Sequence, residues 1–423
     1  MILALVTLVL MLYPMLGIGL QAVLPGGRFS AQLWHDTLAD PQLHVATRNT
    51  LLLAVGTTAL SVPLGIFYAW LIERTDAHWG AFSRLLPVIP LLLPPVAMAI
   101  GWLFLGDPRA GFLARPLVSA LAFLGIEVDP SNLAIQSWPG LVFLHVLWAV
   151  PNVYVIAAAA FSNLDPALEE AARMCGKGRL RCFWQVALPS IRHAVGASML
   201  ICMIACFGLY SIAALIGTAA RIDVLSVYIY RLLNFSYPPK TGQAVVIGLM
   251  MMLVIGALWI GQRKLAARAG AATVGGMGVR ANRVALGGWR WPARALVLAY
   301  VLLTALLPLL ALIVVALQPF WRPTIDFGAL GFSNFLELTS DSRARLAIHN
   351  SVLLALCTST GVVLAAGVLA VLASTLGGLI EKALGIVSKL PAAIPHIVFA
   401  IGVLIVFGFA PFHLQGGWLI LLI

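Results

Sequence analysis

The sequence predicts an all-α, polytopic membrane protein, and three observations predict it. Hydrophobic residues make up 61% of the chain and charged residues 10%, for a mean hydropathy of +1.01. A soluble fold has no interior large enough to bury that much apolar surface. The apolar residues gather in windows of about 20, the length a helix needs to cross a bilayer. The polar segments between them sort by charge in the way membrane loops do.

The windows lie near 1–24, 46–72, 85–106, 138–161, 194–217, 243–262, 295–317, 347–374, 388–410 and 416–423. No A-x-A-like cleavage site closes the first, so it is read as a span and not a removed leader. The third carries Pro87, Pro90, Pro94 and Pro95 in its entry half. Each proline removes a backbone donor and disturbs the helix, which predicts a broken span.

Assigning 73–84, 162–193, 263–294 and 375–389 to one side gives that side 16 Lys/Arg and 6 Asp/Glu, against 10 and 9 on the other. The side with the basic excess is the cytoplasmic one. The net charge of +11 thus reads as topology, with no nucleic acid implied.

The segment 162–193 is a polar island with strong local signals. Asp165 can cap a helix, and Pro166 suits its first position. Glu169 and Glu170 fall near the positive helix end. Ala171 and Ala172 leave room for close approach, and Gly176 can take the left-handed conformation that ends a helix. A second helix should run through Leu180 and Phe183 to Val186, with Leu188-Pro189 turning the chain back.

The segment 263–294 has seven basic residues, no acidic one, and much Gly and Ala. It reads as a flexible linker whose charges fix topology. It separates two copies of one pattern. Asn49-Thr50 with Leu52-Leu53-Ala54 recurs as Asn350-Ser351 with Leu353-Leu354-Ala355. Pro90, Pro94 and Ala99-Ile100-Gly101 recur as Pro391, Pro395 and Ala400-Ile401-Gly402, every position offset by 301. A constant offset means duplication. Six spans precede the second copy, so both run in one direction, related by an axis along the membrane normal.

The expected domains are therefore a first repeat at 1–262, the linker at 263–294, and a second repeat at 295–423. Gly140 starts the fourth window of the first repeat, and its counterpart is Gly417. By that register a second copy of Glu170 would fall near position 447, beyond Ile423. The expectation is that the second repeat stops before its own polar island, which is either absent or supplied by another chain.

Glu170-Ala171-Ala172, three residues, Gly176, nine residues, then Val186-x-Leu188-Pro189 resembles the cytoplasmic "EAA" loop of ABC-importer permeases. That family has Ile where this chain has Val186. The resemblance implies the type I importer transmembrane fold, with the loop docking onto a separate ATPase. By the same resemblance Glu170, Ala171, Ala172, Gly176, Leu188 and Pro189 form the docking core, and Arg173, Lys177 and Arg179 add charged contacts. It also implies a periplasmic binding protein as partner, a bacterial inner-membrane location, and no cofactor in this chain, ATP-Mg being held by the partner ATPase. The fused form and the outer segment 217–242 resemble iron(III)- and thiamine-type permeases, which makes iron(III) the first substrate expectation and thiamine the second.

No G-x-x-x-x-G-K-[ST] occurs in the chain, so nothing in it reads as an ATPase. Broken helices line the pathway in such permeases, which makes Pro90, Pro94, Pro95, Pro391, Pro395 and His396 candidate gate or pathway residues. His145 and His396 are the clearest ionisable residues within the windows, and each also reads as an ordinary packing histidine. The five cysteines lack metal-site spacing. Two other readings stay open: a secondary transporter, against which the scarcity of intramembrane carboxylates counts, and an inactive truncated permease. A membrane-embedded enzyme would need a His/Asp/Glu cluster that the sequence lacks.

Overall fold

The computed structural model describes residues 2–28, 30–108, 110–271, 283–376, 378, 396–408 and 412–422. Helices start where the sequence supplies caps. After α1 (Ile2–Val23) and α2 (Ala31–Leu38), the Asp40 carboxylate accepts the Gln42 N–H at 2.9 Å. Pro41 takes the first position of α3 (Pro41–Arg74), which is long enough to cross a membrane at an angle.

The proline-rich third window breaks as expected. A 3-10 helix, Leu86–Leu92, meets α4 (Pro95–Gly106) at 98°. Leu93 between them is extended, the conformation that a following proline imposes. After α5 (Ala114–Phe123), α6 (Trp138–Ser162) starts on Ser137, whose hydroxyl accepts the Gly140 N–H.

The polar island then folds as α7 (Pro166–Met174), a Gly turn, α8 (Arg179–Cys182), one π-helical turn at Phe183–Ala187 and α9 (Leu188–Ser190). At Ile191 the chain turns by 73° into α10 (Arg192–Gly208). Next come α11 (Leu225–Asn234), α12 (Thr241–Ala271), α13 (Arg290–Val301), α14 (Leu307–Leu317), α15 (Ser333–Ser340), α16 (Ser342–Leu376) and α17 (His396–Phe407). A π turn at Leu302–Leu306 joins α13 to α14 in one span-length element. The window at 416–423, expected to begin a span, contains a single 3-10 turn, Trp418–Leu421. Among the described residues, five helices are long and apolar enough to cross a membrane, or up to seven if each bent pair is one span.

The core lies where α3, α6, α10 and α12 pack together around Leu53, Leu144, Ile216, Ile247 and Met251. Polar side chains within it are mostly paired. Asn49 donates to the Asp223 carbonyl at 2.9 Å, and the Thr50 hydroxyl accepts the Leu225 N–H at 2.8 Å. These two bonds hold the 218–224 connection against α3, as buried backbone groups require.

Two caps are alike. Asp341, 301 residues beyond Asp40, accepts the Arg343 N–H at 2.9 Å just as Asp40 accepts that of Gln42. Helices distant in sequence also cross. α4 packs on α14, and α17 packs on α1. A Cβ on Gly101 would sit 2.5 Å from the Pro308 carbonyl oxygen, and one on Gly402 would sit 2.8 Å from that of Pro14. The absence of a side chain at these two related positions lets the helices touch backbone to backbone. Trp102 Nε1 donates to the Leu303 carbonyl at 3.0 Å across the first of these contacts.

The segment expected to be a flexible linker is ordered where it is described. Residues 263–271 extend α12 as helix, because Gly and Ala without proline do not interrupt a helix already under way. Residues 283–294 dock on the loop after α3. Val284 N donates to the Arg74 carbonyl at 2.8 Å, and Leu286 N donates to Asp76 Oδ1 at 2.8 Å. Arg294, read from the sequence as a topology charge, clamps the carbonyls of Ala77 at 3.0 Å and of Asp76 and His78 at 3.3 Å.

Candidate coupling segment and membrane cavity

α7 begins as its sequence dictates. The Asp165 carboxylate accepts the Ala167 N–H at 2.9 Å, and Pro166 occupies the first position. The helix ends at Gly176, whose φ of +76° is the left-handed conformation that favours glycine. Lys177 N closes the turn on the Ala172 carbonyl at 3.1 Å, and Gly176 N on that of Arg173 at 2.9 Å.

The two neighbouring glutamates do opposite things. Glu170 is exposed, with Ala171 beside it. Glu169 points inward onto Arg74, the last residue of α3, at 2.7 Å and 3.3 Å. The guanidinium also donates to the Leu164 carbonyl at 3.3 Å. This double contact fixes the position of α7 relative to a long membrane helix. Trp70 and Phe183 pack with ring centroids 5.0 Å apart and tie the second short helix to the same end of α3. Ala172, Arg173, Lys177 and Leu188 are half-buried, and Gly176 and Pro189 are exposed. Leu168, Met174, Leu180 and Trp184 add exposed apolar surface to the segment. The sequence reading did not find Glu169 and Arg74 as partners.

The loop after α3 is equally constrained. Glu73 and Arg84 pair at 2.7 Å, and Tyr154 donates to the Arg84 carbonyl at 3.2 Å. His78 accepts the Gly80 N–H on Nδ1 at 2.9 Å, which requires the neutral ring. Burial, then the nearby Arg283, Arg294 and Arg84, hold its pKa below the usual histidine value, with Asp76 opposing.

The profile of binding-protein-dependent transport system inner membrane components matches residues 61–318, more than half of the chain. The chain belongs to this family. The matched region contains the broken span, α7 and its Gly turn, and extends through α14.

The chain is 23% identical over 255 residues to the putative ferric transport system permease protein FbpB 1 of Haemophilus influenzae, over 59% of this chain and 39% of that protein. It is 33% identical over 155 residues to the molybdenum transport system permease protein ModB of Escherichia coli, over 36% and 62% of the two. To the sulfate transport system permease protein CysT of Salmonella typhimurium it is 26% identical over 229 residues, 53% of this chain and 78% of that one. It spans under two fifths of the length of the ferric permeases it matches, 39% and 36%. A crystal structure of a bacterial alginate ABC transporter in complex with an alginate pentasaccharide-bound periplasmic protein aligns with a TM-score of 0.47 and 19% identity, over 62% of this chain and 90% of that one.

Of the candidate pathway residues, Pro90 is buried in the 3-10 helix, while Pro94 and Pro95 form the start of α4. Pro391 and Pro395 lie outside the described residues. His396 is the first residue of α17 and lines a cavity of about 350 Å³ with Trp148, Ile204, Ile255, Trp259 and Gln262. The Pro90–Pro95 break and His396 are not brought into one site: the cavity is walled by α6, α10, α12 and α17. His145 is fully buried, with Nδ1 on the Leu141 carbonyl at 2.8 Å and Nε2 without a hydrogen-bond partner. Among the described residues no group of three or more His, Cys, Asp or Glu is placed to hold a metal ion.

Proposed function

We propose that this chain is the membrane-embedded permease of an ATP-driven importer in the bacterial inner membrane, with α7 as its coupling helix. The observation that carries this reading is the division of labour between adjacent glutamates. Glu169 anchors α7 to α3, while Glu170, Ala171 and Met174 are exposed. A separate ATPase would seat on that exposed surface. Because α7 is pinned to α3, a displacement of α7 is delivered to the membrane helices as rigid-body motion. Glu170, Ala171, Ala172, Gly176, Leu188 and Pro189 are the proposed docking core, with Arg173 and Lys177 at its edge. Pro90, Pro94, Pro95 and His396 are proposed to line or gate the path. ATP and its Mg²⁺ would be held by the ATPase. A periplasmic binding protein would deliver the solute to the face that carries the 218–224 connection.

Iron(III) is the first proposed solute, supported by the length of the match to ferric permeases, 255 and 256 residues. Thiamine follows on the sequence resemblance. An oxyanion is the second reading, favoured by the higher identity to the molybdenum permease, 33%.

The test is capture of the ATPase subunit encoded beside this chain, using the intact protein and a Glu170→Ala, Gly176→Pro variant. Capture that the variant loses supports coupling through α7. Equal capture by both moves docking elsewhere, and no capture by either sinks the reading in favour of ion-coupled transport or an inactive chain. Uptake of labelled ferric ion, thiamine, molybdate and sulfate by the assembled system then separates the solutes.

A further inference from the structure

A second cavity of about 940 Å³ opens beside the coupling segment. Its walls are Phe67, Trp70 and Leu71 of α3, Leu180 of α8, and the stretch Leu286–Leu296 at the end of the linker segment. The lining is almost wholly apolar, apart from Arg181 at its edge. That volume is at the upper end of pockets that hold small ligands, about 300–1,000 Å³. An apolar groove of this size beside a bulk aqueous phase would be unfavourable, but at the edge of a bilayer it has a ready occupant.

Three further observations identify that occupant. Arg181 is exposed and has no acidic partner among the described residues. Trp289 and Trp291 are 75% and 60% exposed, and Arg290 stacks on Trp291. Exposed tryptophans with arginines at the end of an apolar helix mark the headgroup level of a membrane. The groove is therefore apolar toward the membrane core and cationic at the water boundary, on the side with the basic excess. Basic pockets between spans on that side suit anionic headgroups.

We propose that this groove holds an anionic phospholipid, one acyl chain lying along Phe67, Leu71, Pro292 and Leu296 and the phosphate resting on Arg181. This rests on the cytoplasmic placement of α7 proposed above. The lipid would touch Leu180 and Arg181, five residues from the Gly176 turn, and so would brace the coupling segment against the docked end of the linker segment. Loss of the anionic lipid then loosens the segment that the ATPase must push.

The test uses the full chain in lipid nanodiscs with a photoactivatable phosphatidylglycerol, diazirine on the acyl chain, and mass-spectrometric mapping of the labelled peptides. Labelling is expected in 67–71 and 286–296, reduced at least about fivefold in Ala293→Trp, which fills the groove. In Arg181→Gln, competition by unlabelled phosphatidylglycerol over phosphatidylcholine should disappear while acyl labelling persists weakly. Labelling of these peptides that ignores headgroup charge in the intact protein overturns the proposal, as does labelling spread evenly over all helices. So does cross-linking of the groove to the ATPase subunit in place of lipid when that subunit is added. ATPase capture is scored on the same samples. Capture retained without groove labelling overturns the lipid site alone, and groove labelling without capture overturns the coupling reading alone.

Discussion

Arg74 and Glu169 form an ion pair at 2.7 Å whose side chains are only 2% and 3% exposed. One residue ends α3, a membrane-length helix, and the other lies in α7, so a single contact joins the span to the polar helix beyond it. Removing one partner strands the other as an unpaired buried charge, which costs about 3–5 kcal/mol. Arg74→Ala is expected to destabilise the folded protein by that amount and to raise amide exchange across 166–174. Arg74→Met with Glu169→Leu should recover most of the stability, because no charge is left alone. Exchange in α7 unchanged by Arg74→Ala would remove this pair from the account of coupling.

Gly176 offers a cleaner perturbation, since nothing lies within 4 Å of where its Cβ would be and only φ is at issue. Alanine in the left-handed region costs about 1–2 kcal/mol, while asparagine tolerates it better. Gly176→Ala should weaken ATPase capture and lower the local stability of the turn, with Gly176→Asn in between. Equal behaviour of the two variants would mean that the turn is not held left-handed in the working protein.

Much of this was legible in the sequence. The cap at Asp165, the proline break and the left-handed Gly176 all follow from local chemistry, which acts over a few residues. The Arg74–Glu169 pair is 95 residues apart and was not seen. A helical wheel does separate Glu169 from Glu170 by about 100°, so only one of the two could face out; choosing which required the position of α3. The described ends of the 263–294 segment, 263–271 and 283–294, are ordered where its composition suggested flexibility, for the same reason. Its composition is that of a free chain, but Arg294 finds three carbonyls 216 to 218 residues away. The cavity at His396 needed the packing of α17 onto helices distant in sequence, which no local pattern encodes.

His78 supplies a pH dependence. Its folded pKa lies below the unfolded value of about 6.5. The folded state therefore binds fewer protons, and its stability is complete above that pH and declines as pH falls through the window beneath it. Protonation would remove the acceptor for the Gly80 N–H and place a cation beside Arg84, Arg283 and Arg294. Amide protection at Val284 and Leu286 should fall as the medium is taken from pH 7 to 5, and His78→Asn should flatten the profile. A profile that rises on acidification would reverse the assignment.

The two helix crossings can be tested at their two related glycines. Gly101→Ala would force a Cβ to within 2.5 Å of the Pro308 carbonyl oxygen, and Gly402→Ala to within 2.8 Å of that of Pro14. Backbone cannot yield as a flexible side chain does, so each substitution should cost about 1–3 kcal/mol. Because the two contacts lie on different helix pairs, α4 with α14 and α17 with α1, the costs should add. The Gly101 variant should also break the Trp102–Leu303 bond of 3.0 Å and shift Trp102 fluorescence, whereas the Gly402 variant should leave it alone. A Gly402→Ala protein that perturbs Trp102 as strongly as Gly101→Ala would show that the two crossings act as one unit, with a displacement at either transmitted to the other.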